Sequence, residues 1–123
     1  MAEGYVMLKD IKCYTMAVEL SRDCWVIYNR FTWQDKKIIG DQFITAVDSA
    51  GANIAEGYGR FHYLDRIKFY YNSRGSLFET RHWLLLLRMR SKISSEEFES
   101  LMKKANDLHR ELNVYIKSCY PKK

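Results

Sequence analysis

Apolar residues recur every three or four positions along nearly the whole 123-residue chain, and this spacing limits the fold more than any other feature. Such spacing places one side of an α-helix against a core, whereas a half-buried strand alternates apolar with polar residues. No alternating pattern competes with the helical one anywhere in the sequence. The pattern therefore predicts an all-α protein.

Breaks in the pattern divide the chain into predicted helices at about residues 10–31, 34–56, 62–90 and 95–119. The apolar face of the second helix consists mostly of small residues, so this helix can approach a partner closely, and Gly40 is its candidate kink. At the start of the fourth helix, Ser94 and Glu97 have the spacing of a capping box. Short connections between such helices predict a single domain, 1–123, folded as an antiparallel up-down-up-down four-helix bundle.

The third predicted helix is apolar around more of its circumference than one bundle requires. It carries two apolar stripes, and four consecutive leucines follow at 84–87. The stripes are Leu64, Ile67, Tyr71, Phe78, Leu85 and Met89 on one line and Tyr70, Leu77 and Leu84 on the other. Because excess apolar surface marks interaction sites, we expect a homo-oligomer larger than a dimer.

Positive charge is concentrated in the same segment. Eight basic residues lie between Arg60 and Lys92 against only two acidic ones, while the rest of the chain is close to neutral. Within it, arginines recur every seven residues and share one ridge of the helix. Planar guanidinium groups suit phosphate, so the candidate nucleic-acid contacts are Arg60, Arg66, Arg74, Arg81 and Arg88. The alternative is a solvated face whose arginines pair with acidic residues of neighbouring helices.

The stretch GANIAEGYGR, residues 51–60, contains three of the six glycines. It matches neither a Walker-type phosphate loop nor a dinucleotide fingerprint, because the required Gly-Lys and the third glycine are missing. We expect Gly57 to close the second helix in the left-handed conformation. Gly51 lies inside that helix, where glycine is costly, so we expect close approach of another backbone, with Gly51 and Gly75 facing each other across the hairpin.

Two interpretations remain open for the polar residues of this stretch. In the structural one, Asn53 satisfies backbone groups near the helix end and Glu56 pairs with Arg60. In the functional one, both join a polar site with Ser49, Ser76 and Glu79. An enzyme built on Asn53, Glu56 and Glu79 requires a concave pocket where they converge.

Other chemistry finds no support in the spacing of the residues. The three histidines, His62, His82 and His109, lack metal-site spacing, and the three cysteines, Cys13, Cys24 and Cys119, form neither a disulfide framework nor a zinc motif. We predict no catalytic residues, no metal and no cofactor. The chain also shows neither a long apolar run nor a signal-peptide pattern, so we expect a cytoplasmic protein that does not enter a membrane.

The sequence resembles a known family. Its specific part is N-I-A-E-G at residues 53–57 with G-S-x-x-E at 75–79, supported by further matching positions at Asp41, Gln42, Ala46, Ser49 and Arg60. These are similar to the four-helix-bundle family encoded by intervening sequences of bacterial 23S ribosomal RNA genes. The residues that carry this structural motif are Gly51, Asn53, Glu56, Gly57, Gly75, Ser76 and Glu79, although the family often has proline at the position of Gly51 and usually a basic residue at that of Thr45.

The resemblance implies an up-down bundle that assembles into a five-fold ring, a homopentamer. It also points to relatives, the accessory proteins of diversity-generating retroelements, which partner a reverse transcriptase and bind nucleic acid. Together with the basic ridge, it leads us to expect a non-enzymatic oligomer. Its expected partner is RNA, DNA or an enzyme that acts on nucleic acids. The alternative is a structural or protein-binding scaffold with no nucleic-acid role.

Overall fold

The computed structural model describes residues 7–121, and within them four helices pack side by side. All four helices begin and end within two residues of the positions expected from the sequence. The second helix is continuous but contains three segments, of which the middle one is a π-helix. The bounds are α1, Lys12–Arg30; α2, Trp33–Asp35, Lys36–Gly40 and Asp41–Tyr58; α3, Tyr63–Met89; and α4, Ser95–Cys119.

The helices form an antiparallel four-helix bundle. α1 packs on α2 and α4, and α3 also packs on α2 and α4. This arrangement leaves grooves between neighbouring helices, and the groove between α1 and α2 lies diagonally opposite the groove between α3 and α4. None of the helices between residues 7 and 121 combines the length and the apolar character needed to cross a lipid bilayer.

The core lies along the bundle axis and is filled by one face of each helix. Of the two apolar stripes of α3, the stripe formed by Tyr70, Leu77 and Leu84 is completely buried. In the other stripe only Ile67 is buried, and 65 % of Leu64 and 71 % of Met89 are exposed. The exposed members form what we call the apolar stripe of α3: Leu64, Tyr71, Phe78, Leu85 and Met89.

Polar caps fix the helix ends. At the start of α4 the expected capping box is confirmed, since Ser94 Oγ accepts from the Glu97 amide at 3.1 Å and the Ser94 amide donates to Glu97 Oε1 at 2.9 Å. α3 ends without a glycine: Ser91 adopts a left-handed φ of 59°, and the Lys92 amide donates to Leu87 O at 2.8 Å. The capping box satisfies amide groups at the start of α4, and the Lys92 amide satisfies a carbonyl group in the last turn of α3.

The expectation for Gly57 is wrong. This residue does not adopt the left-handed conformation, and α2 continues through it to Tyr58. A Cβ at Gly57 would lie 2.6 Å from Cε1 of Tyr70 and 3.0 Å from the carbonyl oxygen of Arg66. Glycine is needed here because α3 crosses α2 too closely for any side chain.

The pairing expected between Gly51 and Gly75 is also wrong. Gly51 lies against α1, where a Cβ would be 3.5 Å from the Cβ of Ala17, an ordinary contact distance. Gly75 is exposed, and a Cβ there would meet nothing within 4 Å. The close contact between α2 and α3 is therefore made at Gly57 and not at these two glycines.

Candidate functional site

Two arginines of the predicted ridge are held on one side of α3 by polar residues of α4. Arg74 Nη1 donates to Asn113 Oδ1 at 3.1 Å. One heptad further on, Arg81 Nη1 donates to Asn106 Oδ1 at 3.3 Å, and Arg81 Nη2 lies 2.9 Å from His109 Nδ1. Because α3 and α4 run antiparallel, matching seven-residue periods keep both arginines opposite polar side chains.

The partners of Arg74 and Arg81 are all neutral. Within residues 7–121 neither guanidinium forms an ion pair with a carboxylate, in contrast to Arg30, which pairs with Glu97 at 2.5 Å. The amide oxygens orient the guanidinium groups but do not cancel their charge. Within residues 7–121, Arg74 and Arg81 therefore do not pair with acidic residues of neighbouring helices, which was the alternative interpretation.

Each of these arginines also packs on an aromatic ring of its own helix. The guanidinium carbon of Arg74 lies 4.6 Å from the ring centre of Tyr71, and that of Arg81 lies 4.6 Å from the ring centre of Phe78. Such cation–π contacts fix the side chains at modest energetic gain. We call Arg74, Arg81 and the heptad-related Arg88 the arginine ridge.

His109 acts as an acceptor within this arrangement. Burial, followed by the charges of Arg81 and Arg74, lowers the pKa of His109 below its ordinary value. Since a guanidinium can only donate, Nδ1 of the neutral imidazole accepts from Arg81 and the proton resides on Nε2. Burial also lowers the pKa of Arg81, but an arginine remains charged in proteins.

The other predicted contacts lie apart from this pair or are engaged elsewhere. Arg60 forms an ion pair with Glu56 at 2.5 Å, and its guanidinium lies 4.8 Å from the ring centre of Phe69. Arg66 donates to the carbonyl oxygens of Arg60 and Phe61 at 2.9 and 3.0 Å and thereby holds the turn between α2 and α3. These two side chains stabilise the α2–α3 turn in the described structure.

Arg88 continues the ridge, half-buried at the far end of α3. Among residues 7–121 its side chain makes no hydrogen bond or ion pair, while its carbonyl oxygen accepts from the Ser91 amide at 3.1 Å. The register that joins Arg74 to Asn113 and Arg81 to Asn106 would bring Arg88 towards Glu99. The ridge is therefore anchored at Arg74 and Arg81 and open at Arg88.

The polar residues of the glycine-rich stretch are satisfied locally. Asn53 Nδ2 donates to Ser49 O at 2.8 Å, and Ser76 Oγ donates to Asn72 O at 3.2 Å. With Glu56 paired to Arg60, these contacts match the structural interpretation. Asn53, Glu56 and Glu79 line none of five surface cavities of the described residues, which lie along the grooves of α1, α2, α3 and α4.

Ser73 provides a polar link that the sequence reading overlooked. It is completely buried, and its Oγ donates to Ala50 O of α2 at 2.7 Å. Its position three residues after Tyr70 and four before Leu77 lies on the core face of α3. That register is the signal by which the sequence could have revealed it.

Two of the surface grooves lie on opposite sides of the bundle. The groove between α1 and α2 has a volume of about 290 Å³ and a floor of small residues that includes Ala17, Gly51 and Ala52. The groove between α3 and α4 has a volume of about 390 Å³ and includes Tyr71 and Arg74. Among residues 7–121, no group of His, Cys, Asp and Glu side chains is arranged to hold a metal ion.

Residues of α4 complete the arginine ridge, and the sequence reading did not single them out as site residues. These are Asn106, His109 and Asn113. They follow one another at intervals of three and four beside the apolar positions Ala105, Leu108 and Leu112. The sequence therefore contained a polar stripe at the edge of a core face. It did not indicate which helix this stripe faces.

Comparisons with known proteins agree with this architecture. A family model described as 23S rRNA-intervening sequence protein matches residues 9–114. A crystal structure of a protein of unknown function from the S23 ribosomal protein family of Bacteroides thetaiotaomicron superposes with a TM-score of 0.81, at 23 % identity over 90 % of this chain and 99 % of that one. At this identity the superposition establishes the fold. A search of curated protein sequences finds no match.

Proposed function

Because the chain belongs to the 23S rRNA-intervening sequence protein family, we propose that it is a non-enzymatic, self-associating helical bundle that binds RNA or DNA through the arginine ridge. One observation carries the proposal. Arg74 and Arg81 are oriented by neutral partners on α4, so two fixed, partly exposed positive charges stand without a carboxylate counter-charge in the described part of the chain. Fixed guanidinium groups of this kind suit the oxygen atoms of phosphate.

The spacing of the ridge favours a ligand that carries many negative charges. Seven helical residues separate Arg74 from Arg81, a distance of about 10 Å along the axis of α3. This spacing exceeds the size of one phosphate group, so a polyanion can contact both guanidinium groups at once. The interaction releases condensed counterions, and we expect affinity to fall steeply as salt increases, with little dependence on base sequence.

Self-association is supported by exposed apolar surface on two opposite sides of the bundle. One surface is the part of the apolar stripe of α3 from Phe78 to Met89, and the other is the groove between α1 and α2, where Val18 is exposed beside a floor of small residues. Trp25 is also exposed, seven residues further along α1. Two unlike surfaces on opposite sides permit head-to-tail contacts, which close into a ring when the rotation allows it. A ring of five copies is the assembly that we propose, and it would repeat the arginine ridge five times and strengthen its electrostatic field.

Fluorescence anisotropy with labelled single-stranded RNA tests the nucleic-acid proposal. We expect binding at about 50 mM KCl and a large loss of affinity by about 200 mM. The double variant R74Q/R81Q should weaken binding by at least about tenfold. It should also reduce the dependence of affinity on salt, because fewer phosphate contacts mean that fewer counterions are released on binding. Circular dichroism checks that the variant remains helical.

A matched control removes the same charge elsewhere. Arg22 and Lys37 are exposed on α1 and α2, away from the ridge, and R22Q/K37Q should bind nearly as well as the original protein. If the original protein shows no binding at low salt, or if both double variants weaken binding equally, the ridge is not a nucleic-acid site.

A protein-binding scaffold is the second candidate, favoured by the apolar stripe of α3 next to the ridge. In this case the cation–π contacts of Arg74 and Arg81 are structural, and the stripe receives another protein. A nucleic-acid enzyme such as a reverse transcriptase is the partner class that the resemblance suggests. Binding to a protein partner with no RNA or DNA binding at low salt would support this candidate over the first.

Light scattering after size exclusion tests the assembly. We expect a molar mass several times that of one chain, and five times for the proposed ring. Phe78→Glu places a charge in the middle of the exposed stripe and should yield smaller species, whereas Glu79→Gln alters the neighbouring exposed residue outside the stripe and should not. If the original protein is monomeric, the assembly proposal is wrong. The proposal of nucleic-acid binding is then decided by the RNA experiment alone.

A further inference from the structure

The groove between α3 and α4 near Tyr120 combines positive charge with exposed aromatic rings. Its lining residues are Tyr71, Arg74, Arg110, Asn113, Val114, Ile116, Lys117 and Tyr120, and its volume is about 390 Å³. That volume falls within the range of small-molecule sites, roughly 300–1,000 Å³. Most of these residues belong to α4.

We propose that this groove binds a single nucleotide, with its phosphate held by Arg74, Arg110 and Lys117 and its base placed against the tyrosine rings. The proposal rests on the proposed function because Arg74 belongs to both sites. It adds a defined ligand class, a nucleoside phosphate, either free or part of an unpaired strand. A basic surface alone carries no such preference, since it contacts only the phosphate backbone.

The charge balance of the groove favours a phosphate. Three of its lining side chains are cationic and none is a carboxylate. Arg74 is held by the neutral Asn113, and Lys117 makes no ion pair within residues 7–121, so only Arg110 has an acidic partner, Asp107. Neighbouring like charges without a counter-ion repel one another, and a bound dianion relieves that repulsion.

The tyrosines supply a surface for a base. The hydroxyl oxygens of Tyr71 and Tyr120 lie 3.2 Å apart and are hydrogen bonded, which joins α3 to the residue after α4. Both rings remain accessible, with 39 % of Tyr71 and 45 % of Tyr120 exposed. Exposed aromatic rings beside a cationic groove are the usual components of single-strand recognition.

Asn113 can add a polar contact. Its Oδ1 accepts from Arg74, and its amide NH₂ group keeps two donors for an acceptor on the ligand. The neighbouring cavity along α4 differs, because Glu99 and Asp107 are among its lining residues. The groove beside Tyr120 is therefore the better of the two for an anion.

An unpaired base is required by this arrangement. A base within a duplex is stacked on its neighbours and paired, so it cannot lie against Tyr71 or Tyr120. We therefore expect single-stranded RNA to bind more tightly than a blunt duplex of the same length. We also expect AMP to bind the groove more tightly than adenosine, because only AMP carries the phosphate.

Anisotropy competition tests the proposal, with labelled single-stranded RNA, the blunt duplex, AMP and adenosine as probes. Tyr120→Ala should lower single-strand affinity about fivefold or more through lost stacking and leave duplex affinity nearly unchanged. Lys117→Gln should lower affinity for AMP severalfold, whereas Lys37→Gln removes a lysine from α2 and should not. Tyr120→Phe keeps the ring, removes the hydroxyl and should retain most of the affinity.

The outcomes separate this proposal from the proposed function. If R74Q/R81Q weakens RNA binding but Y120A and K117Q bind single strands and AMP as the original protein does, the nucleotide groove is wrong and the ridge stands. If AMP binds and depends on Lys117 while neither RNA nor DNA binds at low salt, the groove takes a free nucleotide and the proposed function fails. If single-stranded and duplex RNA bind with equal affinity, the groove does not bind an unpaired nucleotide of a strand.

Discussion

The contact between α2 and α3 at Gly57 leads to a quantitative prediction for Gly57→Ala. The added Cβ would lie 2.6 Å from Tyr70 Cε1, 3.0 Å from Arg66 O and 3.0 Å from the Cβ of Phe69. Two of these neighbours cannot simply move away, because Tyr70 is completely buried and the Arg66 carbonyl belongs to the backbone of α3. Either the Tyr70 ring or the whole of α3 must shift.

The expected cost follows from opposing contributions. Overpacking of a core costs about 1–3 kcal/mol, and the closeness of the contact places Gly57→Ala at the upper end. Displacing the Tyr70 ring also disturbs its 3.3 Å hydrogen bond to Tyr115, which contributes about 1 kcal/mol. Alanine returns at most about 1 kcal/mol through its higher helix propensity, because Gly57 is the penultimate residue of α2. The net loss of folding free energy is therefore about 2–3 kcal/mol.

Gly75→Ala is the matched control, since it makes the same substitution in the middle of a helix. Its Cβ would meet nothing within 4 Å, so only the propensity gain remains, and we expect a stabilisation of up to about 1 kcal/mol. Urea unfolding followed by circular dichroism measures both variants. All samples are compared at one protein concentration, because self-association would add a concentration-dependent term.

Gly57→Asn distinguishes close contact from a left-handed helix cap. A cap position tolerates asparagine, whereas a position without space should suffer more from asparagine than from alanine. If Gly57→Ala unfolds at or above the urea midpoint of the original protein, the proposed contact between α2 and α3 is refuted. A loss of the same size in Gly75→Ala would attribute the effect to glycine itself and not to the contact.

Two further predictions concern the end of α3 and the ridge. Ser91 has a φ of 59°, which an L-residue other than glycine adopts at a cost, so Ser91→Gly should raise the free energy of unfolding by about 0.5–1 kcal/mol; an unchanged urea midpoint contradicts this. The pKa of His109 is lowered in the folded state, so the unfolded state binds more protons between the two pKa values. The free energy of unfolding should therefore decrease as pH falls below about 6.5. Between pH 7.5 and 5.5 it should decrease less in His109→Gln than in the original protein. Equal losses would show that His109 does not contribute.

The fold could be predicted because the amphipathic pattern of each helix depends only on residues that are close together in the sequence. The buried line of Tyr70, Leu77 and Leu84 and the cap at Ser94 depend on residues three to seven positions apart. The role of Gly57 could not be predicted in the same way. Whether a glycine ends a helix or admits a neighbouring helix depends on how α2 and α3 cross, and no local pattern records that crossing.

The same limit applies to the candidate site. The seven-residue spacing of Arg74, Arg81 and Arg88 was visible in the sequence, whereas the identity of their partners required the pairing of α3 with α4. Arg66 shows the converse: its place in a basic segment suggested a ligand contact, but its hydrogen bonds to Arg60 and Phe61 hold a turn. Charge density alone does not separate a structural arginine from one free to bind.

The pairing register between α3 and α4 explains why the two ends of the arginine ridge differ. It sets Arg74 against Asn113 and Arg81 against Asn106, and continued by one heptad the same register would bring Arg88 towards Glu99, although the two form no ion pair among residues 7–121. Amide partners orient a guanidinium without neutralising it, whereas a nearby carboxylate offsets its charge in the surrounding field. Positive potential should therefore be strongest towards Tyr120, where Lys117 adds a further cation and the tyrosine rings are exposed. A strand that contacts the ridge would accordingly place its unpaired base at that end.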